Sequence, residues 1–195
     1  LSSIALGGLC QASGENKTIK VVNSASWPPF SFVGKDGEPK GILFDLWTEL
    51  AAQQSIDIEF INTDWNNSLA MMRDGSSDVH AGLFQSKERE EYLDFSIPIR
   101  IPIATRLFVS QHLNIAGLYE IGDIKVGVIQ EGFSEQFIHK NYSTVRTQSY
   151  PGTTQLLAAA VAGEVDAFAS DYAAAMYYLH KNGAPTAFSA VETLY

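Results

Sequence analysis

Cysteine is nearly absent from this chain of 195 residues, in which Cys10 is the only one. A single cysteine excludes an internal disulfide bond and a metal site built from several thiolates. The four histidines are isolated along the chain and show no spacing typical of metal ligands: His80, His112, His139 and His180. We therefore expect no metal centre.

Positive charge and long apolar runs are also scarce. Lysine and arginine number 13 against 22 aspartate and glutamate residues, so the formal net charge is -9. Because nucleic-acid binding is driven by clustered Lys and Arg, this balance argues against a nucleic-acid partner. No apolar run approaches the roughly 20 residues needed to span a bilayer. Any contact with a membrane would therefore come through parts outside this chain.

The familiar sequence motifs of enzymes are missing as well. We find no G-x-S-x-G nucleophile elbow, no phosphate-binding P-loop, no dinucleotide-binding glycine fingerprint and no H-E-x-x-H. Carboxylates are plentiful, but no pair can be placed face to face from the sequence. We therefore predict a protein that is not an enzyme and that uses no cofactor.

The first residues have a composition of their own. LSSIALGGLCQA is apolar and small, and the chain then turns polar at SGENK. This change is typical of the trailing part of a signal peptide and its cleavage site, although the basic region that precedes such a segment is missing. We assign residues 1–17 to a signal-peptide remnant or, as the alternative, to a disordered tail. The first interpretation predicts an exported protein.

From residue 19 onward, strand-like and helix-like runs alternate. The predicted strands are short and apolar or β-branched, and the predicted helices between them are amphipathic. In the helix FDLWTELAAQQ, one face is predicted to carry Leu46, Trp47, Leu50 and Ala51. Alternation of this kind predicts an α/β fold with parallel sheets covered by helices. The predicted strands are IKVVNS, IDIEFIN, DVHAGLF, KVGVIQ, STVRTQSY and VDAFASD, and the other helices are WNNSLAMMRDG, SEQFIHKN, TTQLLAAAVAG and YAAAMYYLHKNG.

A weak internal repeat suggests two lobes. LAMMRDGSSDVHAGL can be laid over LLAAAVAGEVDAFAS so that glycine meets glycine and aspartate meets aspartate. Loops between helices and strands favour Gly and Asp in any case, so chance is one explanation. The other is two similar α/β lobes with a ligand cleft between them. On that interpretation the first lobe covers 18–108, a hinge crossing 109–114, the second lobe 115–190, and the start of a return crossing 191–195.

The segment HAGLFQSKEREEYLDFS carries the chemistry of most interest. Ser86 is placed to cap a helix that begins where a buried strand ends, and Arg89 follows three residues later. Open α/β sheets bind ligands at this edge, where an arginine can hold a carboxylate through two parallel hydrogen bonds. The alternative is that Arg89 is one more solvated charge in a charged run.

Several motifs occur in an order that resembles the bacterial family 3 solute-binding proteins. The resemblance runs from about Thr18 to Tyr195 and implies a two-lobed periplasmic-binding-protein fold of type II, closing on an amino acid or another small carboxylate in the periplasm. The chain stops about where the family's return to the first lobe starts, so that return is expected to be missing. The motifs are SWPPFSFVGKDGEPKGILFDLWTEL, DGSSDVHAGLFQSKEREEYLDFS, KVGVIQEGFSEQF and GEVDAFASDYAAA.

The resemblance also implies roles for particular residues. Arg89 stands where the family binds the α-carboxylate of the ligand, and Asp171 stands where it receives the α-amino group. Clamping a zwitterion between the two would satisfy both ionic ends once water is excluded. The same motifs imply further ligand-binding positions. At three of them Ala81, Gly82 and Phe84 replace the hydroxyl residues that the family often has, which predicts a more apolar pocket. These positions are Trp27, Trp65, Ala81, Gly82, Phe84, Gly132, Phe133 and Ser134.

Three functions are compatible with this resemblance. The segments GILFDLWTEL and DVHAGLFQSKERE are most similar to sensor modules that precede diguanylate cyclase or histidine kinase domains. A free receptor that delivers its ligand to the permease of an ABC importer is the alternative. The least favoured is an enzyme similar to cyclohexadienyl dehydratase, for which Glu131 is the candidate catalytic carboxylate.

Overall fold

The computed structural model describes residues 18–195, and the predicted signal-peptide remnant lies outside the described residues. The first lobe contains a three-stranded parallel sheet of order β5-β1-β6 and a small antiparallel sheet of β2, β3 and β4. Its elements are β1 (Ile19–Ser24), β2 (Ser26–Trp27), β3 (Ser31–Val33), β4 (Pro39–Lys40), α1 (Ile42–Gln54), β5 (Ile58–Thr63), α2 (Trp65–Asp74), β6 (Val79–His80) and α3 (Lys87–Glu90).

The second lobe is built on a five-stranded sheet of order β11-β7-β10-β8-β9. Strands β10, β8 and β9 run parallel, whereas β7 runs antiparallel to both β10 and β11. Its elements are β7 (Thr105–Ser110), a short 3-10 helix (Leu118–Glu120), β8 (Val126–Ile129), α4 (Phe133–Asn141), β9 (Thr147–Tyr150), α5 (Thr153–Val161), β10 (Ala167–Asp171), α6 (Tyr172–Lys181) and β11 (Phe188–Thr193).

The second sheet is buried on both faces because its central strands alternate between two cores. Leu107 and Val109 of β7 pack in one core, while Phe108 between them packs in the other. The ring of Phe108 stacks on that of Phe168 in β10, with 4.8 Å between the centroids. The first lobe has a smaller core around Val21.

Side-chain caps begin several helices at the carboxyl ends of strands. Asp64 accepts a hydrogen bond from the backbone N–H of Asn67 at the start of α2, and Asp171 accepts one from Ala174 at the start of α6, both at 2.9 Å. Ser86 caps α3, as the sequence predicted. Because these caps follow β5, β10 and β6, they bring polar residues to the sheet edges at which open α/β sheets bind ligands.

The predicted crossings between the lobes overlap strands of the second sheet. Residues 105–110 form β7, which pairs with β10 and β11 in that sheet, so β7 includes the first two residues of the predicted crossing at 109–114. The predicted return crossing at 191–195 overlaps β11, which extends to Thr193. Both faces of β7 are buried in the two cores of the second sheet. The apolar sequence of β7 predicts a buried strand but does not indicate which of the two sheets contains it.

Two local predictions also differ from the structure. Leu46 and Leu50 on α1 are 42% and 39% exposed, because α1 turns Leu43 and Trp47 toward the core instead. The predicted strand 78–84 is reduced to Val79–His80, since the backbone N–H of Gly82 turns to a side chain and leaves the ladder. The predicted strand 143–150 is likewise reduced to Thr147–Tyr150.

Candidate functional site

A cavity of about 90 Å³ lies between the two lobes. Its walls come from the carboxyl ends of β1, β8 and β10 and from the start of β7, which lies beside the end of β10 because the two strands are antiparallel. Apolar and aromatic side chains form most of the wall, with a few hydroxyl groups and one carboxylate. The lining residues are Ser24, Trp27, Trp65, Gly82, Leu83, Phe84, Thr105, Ile129, Ser134, Thr153, Ala169, Ser170, Asp171 and Tyr195.

Arg89 lies directly behind this wall and is only 2% exposed. Its Nη1 donates to the carbonyl of Phe84 at 2.6 Å and its Nη2 to the carbonyl of Glu131 at 3.3 Å. The guanidinium carbon also lies 5.4 Å from the ring centroid of Trp65. The burial of Arg89 contradicts the alternative that it is a solvated surface charge, although the residue is not on the cavity surface itself.

The charge of Arg89 is incompletely compensated. Burial lowers the pKa of its guanidinium, which nevertheless stays protonated as arginine does in proteins. Within residues 18–195 no carboxylate lies at ion-pair distance from it, and its hydrogen-bond acceptors are two neutral carbonyls. A buried charge without an ion partner is costly, so this environment favours the arrival of an anion.

Asp171 provides the opposite charge at the cavity wall. Its Oδ1 caps α6, and its Oδ2 accepts a hydrogen bond of 2.7 Å from the indole Nε1 of Trp27 in the other lobe. Burial raises the pKa of this carboxyl group despite these two hydrogen bonds. Burial raises the pKa of the neighbouring Tyr195 hydroxyl group, which also lines the cavity.

Two buried polar atoms on lining residues have no hydrogen-bond partner among the described residues. They are the hydroxyl oxygen of Ser170, a residue that is 4% exposed, and the indole nitrogen of Trp65. Buried polar groups are normally hydrogen-bonded, so unsatisfied groups at a cavity indicate where a ligand can supply the partner.

His80 supports the first-lobe wall of the cavity. Its Nδ1 accepts from the backbone N–H of Gly82 at 3.3 Å, so its Nε2 carries the proton and donates to Ser68, also at 3.3 Å. The Ser68 hydroxyl in turn donates to the carbonyl of Trp65, whose ring contacts that of His80 edge-on. Desolvation by burial lowers the pKa of His80 from 6.5 to about 3, so the ring is neutral at physiological pH.

The backbone N–H groups at three of the predicted ligand-binding positions already have acceptors. The N–H of Gly82 is bound to His80, that of Ala81 to Val22, and that of Gly132 to Ile129. Ala81 lies in the first-lobe core and does not line the cavity between the lobes. Gly82 lines the cavity and Gly132 does not. None of the three positions offers a free N–H group to a ligand.

The predicted aromatic residues do come together. The ring of Phe84 lies 5.5 Å from that of Phe133 and 5.4 Å from that of Tyr195, and Trp27, Trp65 and Phe84 line the cavity. Phe133 packs behind this wall. Ser134 lines the cavity through a side chain that hydrogen-bonds the Tyr195 hydroxyl at 2.8 Å.

Sequence reasoning missed eight lining residues. Some carried a usable signal, because Ser24 and Ile129 end parallel strands and Ser170 directly precedes Asp171. The contribution of Tyr195 had no such signal, since it depends on the pairing of β11 with β7. The missed residues are Ser24, Leu83, Thr105, Ile129, Thr153, Ala169, Ser170 and Tyr195.

A larger cavity of about 820 Å³ lies in the first lobe, between α1, β6 and the segment 92–103. Its wall is mostly apolar, and the ionisable side chains on it are Asp78, His80, Tyr92 and Asp94. With no arginine or lysine among its lining residues, this cavity offers no cation to a carboxylate. The smaller cavity, beside Arg89 and Asp171, is therefore the candidate site.

The sequence profile of the bacterial extracellular solute-binding proteins, family 3, matches residues 19–185. The chain belongs to this family. The family consists mainly of exported proteins that bind solutes and are not enzymes. Within residues 18–195, no helix has both the length and the apolar character required to cross a bilayer.

Individual members of known function or structure support this assignment. The L-cystine-binding protein TcyJ of Escherichia coli is 27% identical over 183 residues, which are 93% of this chain and 69% of that protein. An ancestral arginine-binding protein bound to glutamine has a TM-score of 0.80 at 27% identity, with 90% of this chain and 79% of the other covered.

A histidine kinase sensor domain with similarity to periplasmic binding proteins has a TM-score of 0.84 at 23% identity, covering 92% and 78% of the two chains. This likeness concerns the fold. The structural neighbours show that the solute-binding chain has the two-lobed type II periplasmic-binding-protein fold that its motifs predicted.

Proposed function

We propose that this solute-binding chain is a periplasmic module that closes on an amino acid between its lobes. The ligand carboxylate binds Arg89, and its ammonium group binds Asp171. The observation that carries the proposal is the buried guanidinium of Arg89, which has neutral carbonyls as its acceptors. Nη1, Nη2 and Nε together carry five N–H donors, and two of them have acceptors among residues 18–195.

The ligand must reach Arg89 through a tight cleft. The cavity of about 90 Å³ is well below the roughly 300 Å³ at which ligand pockets usually begin. Trp27 and Tyr178 hydrogen-bond across the cleft to Asp171 and to the Ser26 carbonyl. Entry therefore requires the lobes to separate, and the Trp27 indole must give up or share Asp171 with the ammonium group. Such a ligand favours closure to the extent that it binds the closed form better.

The wall chemistry favours an amino acid with an uncharged side chain. Apart from Asp171 and the Tyr195 hydroxyl, the lining residues carry no ionisable group, and Arg89 is needed for the α-carboxylate. A second charge on the ligand would be buried without a partner, which costs several kcal/mol. Trp27, Trp65 and Phe84 offer aromatic surface instead.

The output of binding is proposed to be a signal. The motifs GILFDLWTEL and DVHAGLFQSKERE are most similar to sensor modules of membrane-bound diguanylate cyclases and histidine kinases. A free receptor for an ABC importer, with a permease as partner, is the second candidate, and the binding by TcyJ of an amino acid supports it. The two roles share the ligand chemistry and differ in the protein that detects closure.

The geometry gives no support to a dehydratase. Glu131 carries the catalytic role in that alternative, but its carboxylate forms an ion pair of 2.9 Å with Arg73 and is 45% exposed. It does not line the cavity between the lobes, so it has no access to a substrate bound there.

A thermal-shift screen with the twenty standard L-amino acids tests the proposal. A ligand at 100 times its Kd adds about 2.7 kcal/mol to the free energy of unfolding. For a domain of this size we expect Tm to rise by roughly 5–11 °C. The carboxamide and the N-acetyl derivative of the ligand are matched controls, because each removes one of its charges. The proposal fails if no amino acid raises Tm, or if both derivatives bind as well as the parent.

A further inference from the structure

Glu131 has an unusual backbone conformation. Its φ is 55°, in the left-handed region, and Ser55 is the other non-glycine residue of the described chain with positive φ. Ser55 ends α1, a position at which the left-handed conformation is common. Glu131 instead lies just before Gly132, the N-cap of α4. A non-glycine residue persists in this conformation where its surroundings hold it, often at ligand clamps and switches.

The second lobe holds Glu131 through its backbone. The N–H of Glu131 donates to Oε2 of Glu135, in the first turn of α4, at 2.8 Å. The other oxygen of Glu135 accepts a hydrogen bond from the Ser149 hydroxyl group. These contacts lie within the second lobe, so they fix Glu131 whether or not the first lobe is near.

The side-chain carboxylate and the backbone carbonyl of Glu131 both bind residues of the first lobe. Its carboxylate pairs with Nη2 of Arg73 on α2 at 2.9 Å, and its carbonyl accepts from Nη2 of Arg89 on α3 at 3.3 Å. The guanidinium of Arg73 also lies 4.9 Å from the ring centroid of Tyr92. One second-lobe residue therefore binds two first-lobe arginines. The other ion pairs of the described residues, Lys40–Asp36 and Arg146–Asp123, lie within single lobes.

We propose that Glu131 is a positioning residue, which clasps Arg73 to hold the lobes together and fixes the guanidinium of Arg89 behind the wall of the ligand cavity. Both contacts form only when the lobes are closed, so they favour closure before any ligand is bound. The role of Arg89 in this proposal rests on the proposed function, whereas the clasp does not.

The size of the effect follows from the exposure of the ion pair. Arg73 and Glu131 are 46% and 45% exposed at their side chains, and partly exposed pairs change an equilibrium by about 1.5- to fivefold. Removing the pair should therefore lower the ratio of closed to open protein by about that factor. Because apparent affinity scales with the closed fraction, ligand binding would weaken by no more than the same factor through this contact.

The test measures lobe closure in the ligand-free protein. Spin labels at Gln53 on α1 and Lys140 on α4, both exposed, report the distance between the lobes in a Cys10→Ser background. We expect a closed population in the parent protein and a lower closed-to-open ratio, by about 1.5- to fivefold, in Glu131→Gln and in Arg73→Gln. The double variant should fall no further than either single variant. The exchange Arg73→Glu with Glu131→Arg should restore closure, an effect that a merely structural role would not produce.

Arg146→Gln is the matched control, because it removes an ion pair of the same 2.9 Å length that lies within the second lobe. It should leave the distance distribution unchanged. The proposal is overturned if Glu131→Gln leaves the closed fraction unchanged, if the single effects add in the double variant, or if the ligand-free parent is entirely open. Because this test needs no ligand, its outcome is independent of the proposed function. A protein that binds no amino acid would contradict the proposed function but not the ion pair's effect on lobe closure.

Discussion

Replacing Arg89 by methionine should separate ligand binding from folding. Methionine keeps most of the buried volume but removes the charge and the hydrogen bonds to the carbonyls of Phe84 and Glu131. Hydrogen bonds to charged groups contribute about 1.5–3 kcal/mol each. The desolvation of an unpaired buried ion costs several kcal/mol and is relieved by the same substitution. We therefore expect the free energy of unfolding of the ligand-free protein to change by less than about 2 kcal/mol.

Binding should respond very differently to the same change. Removing one partner of a buried, hydrogen-bonded charge pair costs about 2–5 kcal/mol, which corresponds to a loss of about 30- to 5,000-fold in affinity. Urea denaturation measures the stability, and isothermal titration calorimetry with the amino acid identified by the thermal-shift screen measures the affinity. Arg146→Met, on an exposed arginine, is the control and should alter neither quantity. An affinity of Arg89→Met within threefold of the parent would refute the assignment of Arg89 as the carboxylate receptor.

Three further substitutions test other parts of the structure. Asp171→Asn should abolish binding of the ammonium group, although asparagine can still cap α6. Burial raises the pKa of Asp171, so its ionisation disfavours the folded state, and the variant should be more stable than the parent at pH 7. This gain in stability should shrink as pH falls through the raised pKa of Asp171. The pKa of His80 is about 3 in the folded protein, against 6.5 for an ordinary histidine. The free energy of unfolding should therefore decrease by up to about 5 kcal/mol as pH falls from 6.5 toward 3. His80→Asn should reduce this pH dependence in acid denaturation. Gly41→Ala should destabilise the protein by more than about 1 kcal/mol in urea, since φ is 119° and the new Cβ would lie 2.4 Å from the Phe30 carbonyl oxygen; an unchanged urea midpoint would contradict this reasoning.

Local patterns predicted much of the fold and part of the site. Apolar β-branched runs and amphipathic periods located most strands and helices, and Ser86 correctly marked the beginning of α3. The local pattern left Arg89 open between a ligand-binding residue at a sheet edge and a solvated surface charge, and the family resemblance implied the first of these.

The remaining features depend on contacts between distant segments. The run TRLFVS reads as an extended segment, and its place in the second sheet is decided by the pairing of Phe108 with Phe168 and by β11. Tyr195 reaches the cavity through the same pairing. The exposure of Leu46 follows from a rotation of α1 that buries Leu43 and Trp47, and both faces of that helix carry enough apolar residues to fit either orientation.

The most direct test of the central claim is a crystal structure with the amino acid that gives the largest thermal shift. We predict the ligand between the lobes, with a carboxylate oxygen about 2.7–2.9 Å from a guanidinium nitrogen of Arg89 and the ammonium group at hydrogen-bond distance from Asp171. A ligand bound in the first-lobe cavity of about 820 Å³, or one whose carboxylate lies away from Arg89, would contradict the account.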